Sequence, residues 1–316
     1  MQEYIQKASV LVEALPYIQA FRNKTVVIKF GGSVMKKRDV LEGILRDVVF
    51  MEAVGINPII IHGGGPRISD RMKQAGLIPK FVEGLRVTDE AAIKIVEETL
   101  LEINQELCDI IQSFGGRAKG VSGRTESMIL MSKYPPVQTR GADGNTEFVD
   151  IGFVGDVKLV NTDPIKKMIQ KQAVAVVTPI GVDLEGRPYN INGDHVASQL
   201  AGSLKAEKLL YLSDVNGVMR DPKDSQTLFS TLTLPQVNRL IVEGVITGGM
   251  LPKVRSCMKA IEAGVHKTHI VDGRVYHSIL LEIFTDAGVG TELVQDENST
   301  AVPQGLPLTE NKEMNG

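Results

Sequence analysis

Two lysines each stand close to a pair of glycines. In "VVIKFGGSV" Lys29 precedes Gly31 and Gly32, and in "TGGMLPK" Gly248 and Gly249 precede Lys253. A third cluster, "HGGGP", puts Gly63, Gly64 and Gly65 at the mouth of a helical pattern. Backbone N–H groups at a strand-to-helix junction can hold an anion, and glycine lets the anion come close. One such pair reads as a tight turn. Three, two of them with a nearby fixed positive charge, point toward anion binding. The usual nucleotide loop GxxxxGK[ST] is absent, and "HGGGPRIS" is not a GxGxxG loop, so a phosphate cradle here would be of another kind.

Polar residues gather nearby. "YNINGDHVASQLAG" places Asn190, Asn192 and Asp194 just before a helical pattern, and alternate residues of an extended segment share a face. A helix cap with a turn is the plainer reading, and Asp194 suits that too. Arg86, in "GLRVTD", reads as a loop residue, either surface-solvated or free to grip a carboxylate with two parallel hydrogen bonds. The His266–His269 spacing suggests metal only superficially, because a strand there sends the two rings to opposite faces. No protein metal site is expected.

These groups need a frame. From Thr25 onward, short apolar runs alternate with helical patterns: "TVVIKF", "NPIIIHGGG", "AVAVVTPI", "EKLLYLSDV" and "HKTHIVDG" as strands, with "TELV" closing. The segments "VLEGILRDVVFMEAVG", "PRISDRMKQAG", "DEAAIKIVEETLLEINQELCDIIQSFGG", "PIKKMIQKQ", "DHVASQLAGSLKA", "LPQVNRLIVEG", "MLPKVRSCMKAIEAG" and "YHSILLEIFTDAG" carry helical spacing. Between about Thr125 and Val160 the alternation of "EFVDIGFVGDVKLV" suggests antiparallel hairpins. The pattern predicts a mostly parallel sheet covered on both faces, with ligands beyond the carboxyl ends of its strands. Ahead of it, Ile5, Ala8, Val12 and Leu15 recur at helical spacing. From Gln295 the chain is polar and aperiodic and reads as a disordered tail.

Composition excludes several classes. The 316 residues are 43% hydrophobic and 23% charged with a net charge of -3, so no basic field attracts nucleic acid or an anionic membrane. Aromatics are 5% and tryptophan is absent, which argues against a base-stacking surface. Two cysteines, Cys108 and Cys257, give neither a disulfide framework nor a zinc site and fit a reducing cytoplasm. The N-terminal stretch does not read as a secretory signal, and no apolar run is long enough to span a bilayer.

Together "IKFGGS", "IHGGGP", "GLRVT", "NINGD", "LLYLSDVNGV" and "ITGGMLPKV" resemble the amino acid kinase family, on its acetylglutamate-phosphorylating side, from about Thr25 to Val294. The resemblance implies a three-layer αβα sandwich with two lobes, residues 25–180 binding N-acetyl-L-glutamate and residues 181–294 binding ATP. It implies transfer of the ATP γ-phosphoryl group to the γ-carboxylate of N-acetyl-L-glutamate in arginine biosynthesis, with Mg²⁺ carried by the nucleotide. Lys29 and Lys253 would stabilise the transferring group and Asp194 would orient both. Gly31, Gly32, Ser213, Asp214, Gly248 and Gly249 would contact the nucleotide, the Gly32 and Gly64 amides meeting its phosphoryl oxygens. Arg86, Asn190, Asn192, Gly64 and Gly65 would hold the amino acid.

Residues 1–24 resemble the N-terminal helix through which arginine-inhibited members join dimers into a homohexamer. The segment around His269, Glu282, Gly288 and Gly290 resembles their allosteric L-arginine site. Some relatives also bind a PII-type signalling protein. Two alternatives stay open: a kinase for aspartate or glutamate, and a non-catalytic arginine sensor.

Overall fold

The computed structural model describes residues 1–140, 145–285 and 288–296. Beyond Asp296, the expected tail lies outside the described residues. Eight strands form one sheet: β1 (Thr25–Phe30), β2 (Asn57–His62), β3 (Ala118–Ser122), β4 (Val174–Thr178), β5 (Lys208–Ser213), β6 (Thr231–Thr233), β7 (Lys267–Asp272) and β8 (Thr291–Val294). Their spatial order is β6-β8-β7-β5-β1-β2-β4-β3. Every ladder is parallel except β7–β8. The two halves of the chain therefore share a single sheet and meet at the β1–β5 ladder.

Alternation along the strands feeds two apolar layers. Val26, Ile28 and Phe30 join Ile60, Leu210 and Val271 under α2 (Arg38–Ala53), α4 (Glu90–Ser113) and α9 (Ser278–Ile283). Val27, Ile59, Ile61, Leu209 and Tyr211 face the other way, toward α5 (Asp163–Gln170), α6 (Gly193–Leu204), α7 (Leu234–Val242) and α8 (Met250–Glu262). This is the sandwich that the strand–helix alternation predicts. Burial on both faces explains why the strands read as unbroken apolar runs.

Local chemistry sets the ends of elements. α3 (Gly65–Gln74) opens on glycine and proline. The Asp89 side chain caps α4 by accepting from the Ala92 N–H at 2.8 Å. Thr233 and Gln236 form a reciprocal capping box at the start of α7. The run "AVAVVTPI", expected as one strand, is broken after Thr178. Pro179 has no N–H for a ladder, and Ile180–Val182 leaves the main sheet for a second, four-stranded one. In that second sheet Ile129–Lys133 pairs antiparallel with Gly155–Val160, the hairpin character expected of this region. A separate ribbon pairs Val137–Arg140 with Thr146–Val149. The preceding helix α1 (Gln2–Phe21) covers the expected N-terminal extension.

Candidate active site

Lys29 projects from β1 on the same face as Val27, toward α6 and α8. Its Nζ lies 2.5 Å from Asp194 Oδ1, with the two side chains 13% and 16% exposed. Lys253 sits in the first turn of α8, close enough for its charge to act on Asp194 as well. Burial opposes the Asp194 charge, but the Lys29 and Lys253 ammonium groups outweigh it and hold the carboxyl below the usual aspartate range. Asp194 also lies in the first turn of α6, where the helix dipole favours an anion. The helix cap is Asn192, whose side-chain oxygen accepts from the Asp194 N–H at 2.8 Å. The capping part that the sequence suggested for Asp194 falls to Asn192, and the Asp194 carboxylate is left to the lysines.

The glycines around Lys29 are required by close approach. A Cβ at Gly32 would stand 2.3 Å from Pro66 Cδ, and one at Gly64 2.8 Å from Leu100 Cδ2. At Gly63 it would stand 3.3 Å from the Gly31 Cα, so the turns after β1 and β2 lie against each other. Gly31 and Gly193 border the lysine itself, their hypothetical Cβ atoms 3.6 Å from Nζ and 3.4 Å from Cε. The result is a pair of glycine turns packed backbone against backbone beside an ammonium group.

His62 anchors one of these turns from the opposite face of the sheet. Its ring is buried, with Nδ1 3.1 Å from the Gly63 carbonyl and Nε2 3.2 Å from Asn104 Nδ2 on α4. Asn104 also donates to the Val176 carbonyl at 2.8 Å. Burial pushes the His62 pKa down to about 4, so the ring is neutral near pH 7. The Asn104 amide donates to Nε2, which places the proton on Nδ1 facing the Gly63 carbonyl.

Arg86 is not in an open loop. It occupies a two-residue strand, Leu85–Arg86, paired with Phe81–Val82, and is only 7% exposed. One of its guanidinium nitrogens donates to the Gly65 carbonyl and to Ser69 Oγ, both at 2.9 Å, and the Phe81 ring lies 4.7 Å away over the cation. Burial lowers its pKa, yet arginine stays charged at neutral pH. Asn190 ends the short strand Pro188–Asn190 and its N–H binds the Phe153 carbonyl at 2.9 Å. Arg86 thus touches Gly65 directly, while Asn190 and Asn192 lead into the helix of Asp194.

On the other half, Ser213 is buried at the end of β5, its Oγ 3.5 Å from the Asp214 carboxylate, and Asp214 is exposed. Gly248, with φ 54°, and Gly249, the cap of α8, are exposed before the Lys253 turn. Farther along the sheet, His269, Glu282, Gly288 and Gly290 do come together. Glu282 accepts from the Val289 N–H at 2.7 Å and the Gly290 N–H at 3.1 Å, and its other oxygen lies 2.7 Å from His269 Nδ1. A Cβ at Gly288 would stand 2.9 Å from Glu282 Oε2. Burial works against the Glu282 charge, but these partners hold its pKa down, at about 2. Its carboxylate is already engaged by its own chain.

Several members of the site lacked a role in the sequence reading: His62, Asn104, Ser69 and Gly193. Gly193 sits inside "NINGD" and His62 heads the glycine run, so both were visible by position. Asn104 and Ser69 had no local signal, because their partners are distant in sequence.

Residues 24–272 match the amino acid kinase family. The chain is 47% identical over 292 residues to the acetylglutamate kinase of Desulforamulus reducens, covering 92% of this chain and 99% of that one. It is 48% identical over 295 residues to the acetylglutamate kinase of Geobacter sulfurreducens, covering 93% and 99%. The structure of N-acetylglutamate synthase from Neisseria gonorrhoeae, solved with coenzyme A and N-acetyl-glutamate, superposes with a TM-score of 0.77 at 23% identity. It covers 92% of this chain, which spans only 63% of that longer protein, and it shows the shared fold. With its paired lysines, its glycine turns and this likeness over most of its length, the chain belongs to the amino acid kinase family.

Proposed function

We infer that this protein transfers the γ-phosphoryl group of ATP to the γ-carboxylate of N-acetyl-L-glutamate. The observation that carries the reading is the ion pair of Asp194 with Lys29 of β1, within reach of the Lys253 charge on α8, in a chain nearly half identical to acetylglutamate kinases. The nucleophile is a carboxylate, ionised at neutral pH, so the reaction needs no general base. The obstacle is repulsion between that anion and a polyanion, and catalysis consists of positioning and charge neutralisation.

Lys29 and Lys253 lower that repulsion from opposite halves of the sheet. Asp194 keeps them converged without cancelling both. The amides of Gly32 and Gly64, in turns packed against Pro66 and Leu100, receive the phosphoryl oxygens. Arg86, steadied by Gly65 and Ser69, holds the substrate α-carboxylate, with Asn190, Asn192 and the Gly64 and Gly65 amides fixing the remainder. Asn192 caps through its oxygen, which leaves its NH₂ group to donate to the ligand. Gly31, Ser213, Asp214, Gly248 and Gly249 form the nucleotide side, so residues 25–180 supply most of the amino-acid side and residues 181–294 most of the nucleotide side, with Gly31, Asn190 and Asn192 reaching across.

Among the described residues no cluster of His, Cys, Asp and Glu has the makeup of a metal cage. A divalent ion would arrive on the ATP phosphates and neutralise part of their charge.

Feedback inhibition by L-arginine, hexamer formation through α1 and a cytoplasmic location belong to the same reading. Tyr4, Ile5, Leu11 and Val12 of α1 are all more than half exposed, which leaves an apolar surface for a neighbouring copy. No helix among the described residues is long and apolar enough to cross a membrane. The deciding experiment is a coupled ATPase assay with N-acetyl-L-glutamate, aspartate and glutamate in parallel. Turnover with N-acetyl-L-glutamate alone is expected, and equal or greater turnover with either free amino acid would overturn the assignment.

A further inference from the structure

Tyr211 stands on β5 directly opposite Lys29 in the β1–β5 ladder, so the two side chains leave the same face of the sheet. It is 1% exposed. Its hydroxyl donates to the Asp194 backbone carbonyl at 3.2 Å, in the first turn of α6. Ser198, one turn farther along α6, donates to the His195 carbonyl at 3.0 Å, and it and Ser256, three residues after Lys253 on α8, neighbour the same hydroxyl.

A ring alone would serve packing here, and the surrounding cluster of Ala197, Leu200, Val254 and Cys257 is apolar. A buried hydroxyl, by contrast, needs partners. The partners it finds belong to the two helices that bring Asp194 and Lys253 to Lys29. The Asp194 carbonyl is also placed to accept the ordinary helical bond from four residues on, so α6 does not need the tyrosine for its own integrity.

We propose that Tyr211 is a positioning residue: its hydroxyl holds the first turn of α6 over the β1–β5 ladder, against the second turn of α8, and thereby fixes the spacing of Lys29, Asp194 and Lys253. The proposal rests on the phosphotransfer reading above and adds a residue that touches neither substrate.

Tyr211→Phe keeps the ring and deletes the tie. With activity normalised to folded protein by near-UV circular dichroism, kcat is expected to fall on the order of tenfold, the scale set by small misplacements of reacting groups. KM for ATP and for N-acetyl-L-glutamate should stay within about twofold, since ground-state contacts are untouched. Ser256→Ala should lower kcat in the same sense. The double variant should be no slower than Tyr211→Phe alone, because both changes cut one tie. An unchanged kcat in Tyr211→Phe beside an active wild type overturns the proposal and spares the phosphotransfer reading. So does a loss in the double variant equal to the sum of the single losses. A loss that vanishes on normalisation to folded protein also overturns it. An inactive wild type overturns both readings.

Discussion

In the proposed reaction Lys29 and Lys253 would act on a charge that grows and moves, so their value would lie in the transition state rather than in binding. Removing one preorganised donor of this kind costs about 3–4 kcal/mol, or roughly 10²–10³ in kcat. Lys29→Ala and Lys253→Ala are each expected to lose that much in steady-state turnover with modest changes in KM. Arg86→Ala should instead raise KM for N-acetyl-L-glutamate, and a kcat defect with unchanged KM would remove Arg86 from the substrate side. The lysines and Asp194 could be named from sequence because residue type and a local motif mark them. The His62–Asn104 contact could not, since it joins residues 42 positions apart across a sheet and a helix. The burial of Arg86 was equally hidden: its partners Gly65 and Ser69 lie on α3, well upstream.

The elements carry their own constraint. α6 and α8 come close because Gly202 has no side chain: a Cβ there would lie 2.5 Å from the Ala263 Cβ. Gly202→Ala is expected to cost about 1–3 kcal/mol, as overpacked cores do. It should also lower kcat, since Asp194 and Lys253 ride on these two helices. Chemical denaturation with kinetics on the same sample checks both effects, and an unchanged denaturation midpoint would show that the helices part freely. Most strands and helices were legible as apolar runs and helical spacing. The ribbon Phe81–Val82 with Leu85–Arg86 was not, because two-residue strands are too short to show alternation. The break at Pro179 was written in the sequence but lay inside a run whose apolar character masked it.

At the scale of the whole molecule, stability should depend on pH in the acid range. In the unfolded chain His62 binds a proton near its ordinary pKa of 6.5, while in the folded chain it does so only near 4. The unfolded state therefore gains protons first as pH falls, and up to roughly 3 kcal/mol of stability drains away across that window. His195 and His269, also lowered by burial, add to the same trend. Glu282 works lower down, its stabilisation being lost between its ordinary 4.5 and about 2. A Tm that declines steadily below pH 6.5, with a shallower slope in His62→Gln, is the expected calorimetric result. A flat profile would contradict the neutral, buried ring. Deleting residues 1–16 should shrink the assembly seen by size exclusion and leave turnover largely intact, because the end of α1 that packs on the core, with Tyr17, Ala20 and Phe21, is kept.

The eight strands run without interruption from one half of the molecule to the other, with β1 hydrogen-bonded to β5 along five residue pairs. Among the described residues that ladder joins the two halves directly. Any relative movement of the halves is then expected to be a torsion spread over the ladder, stiff and of small amplitude. Backbone amides of β1 and β5 should then resist hydrogen exchange equally with and without bound substrates, and loss of that protection on binding would mean that the seam opens.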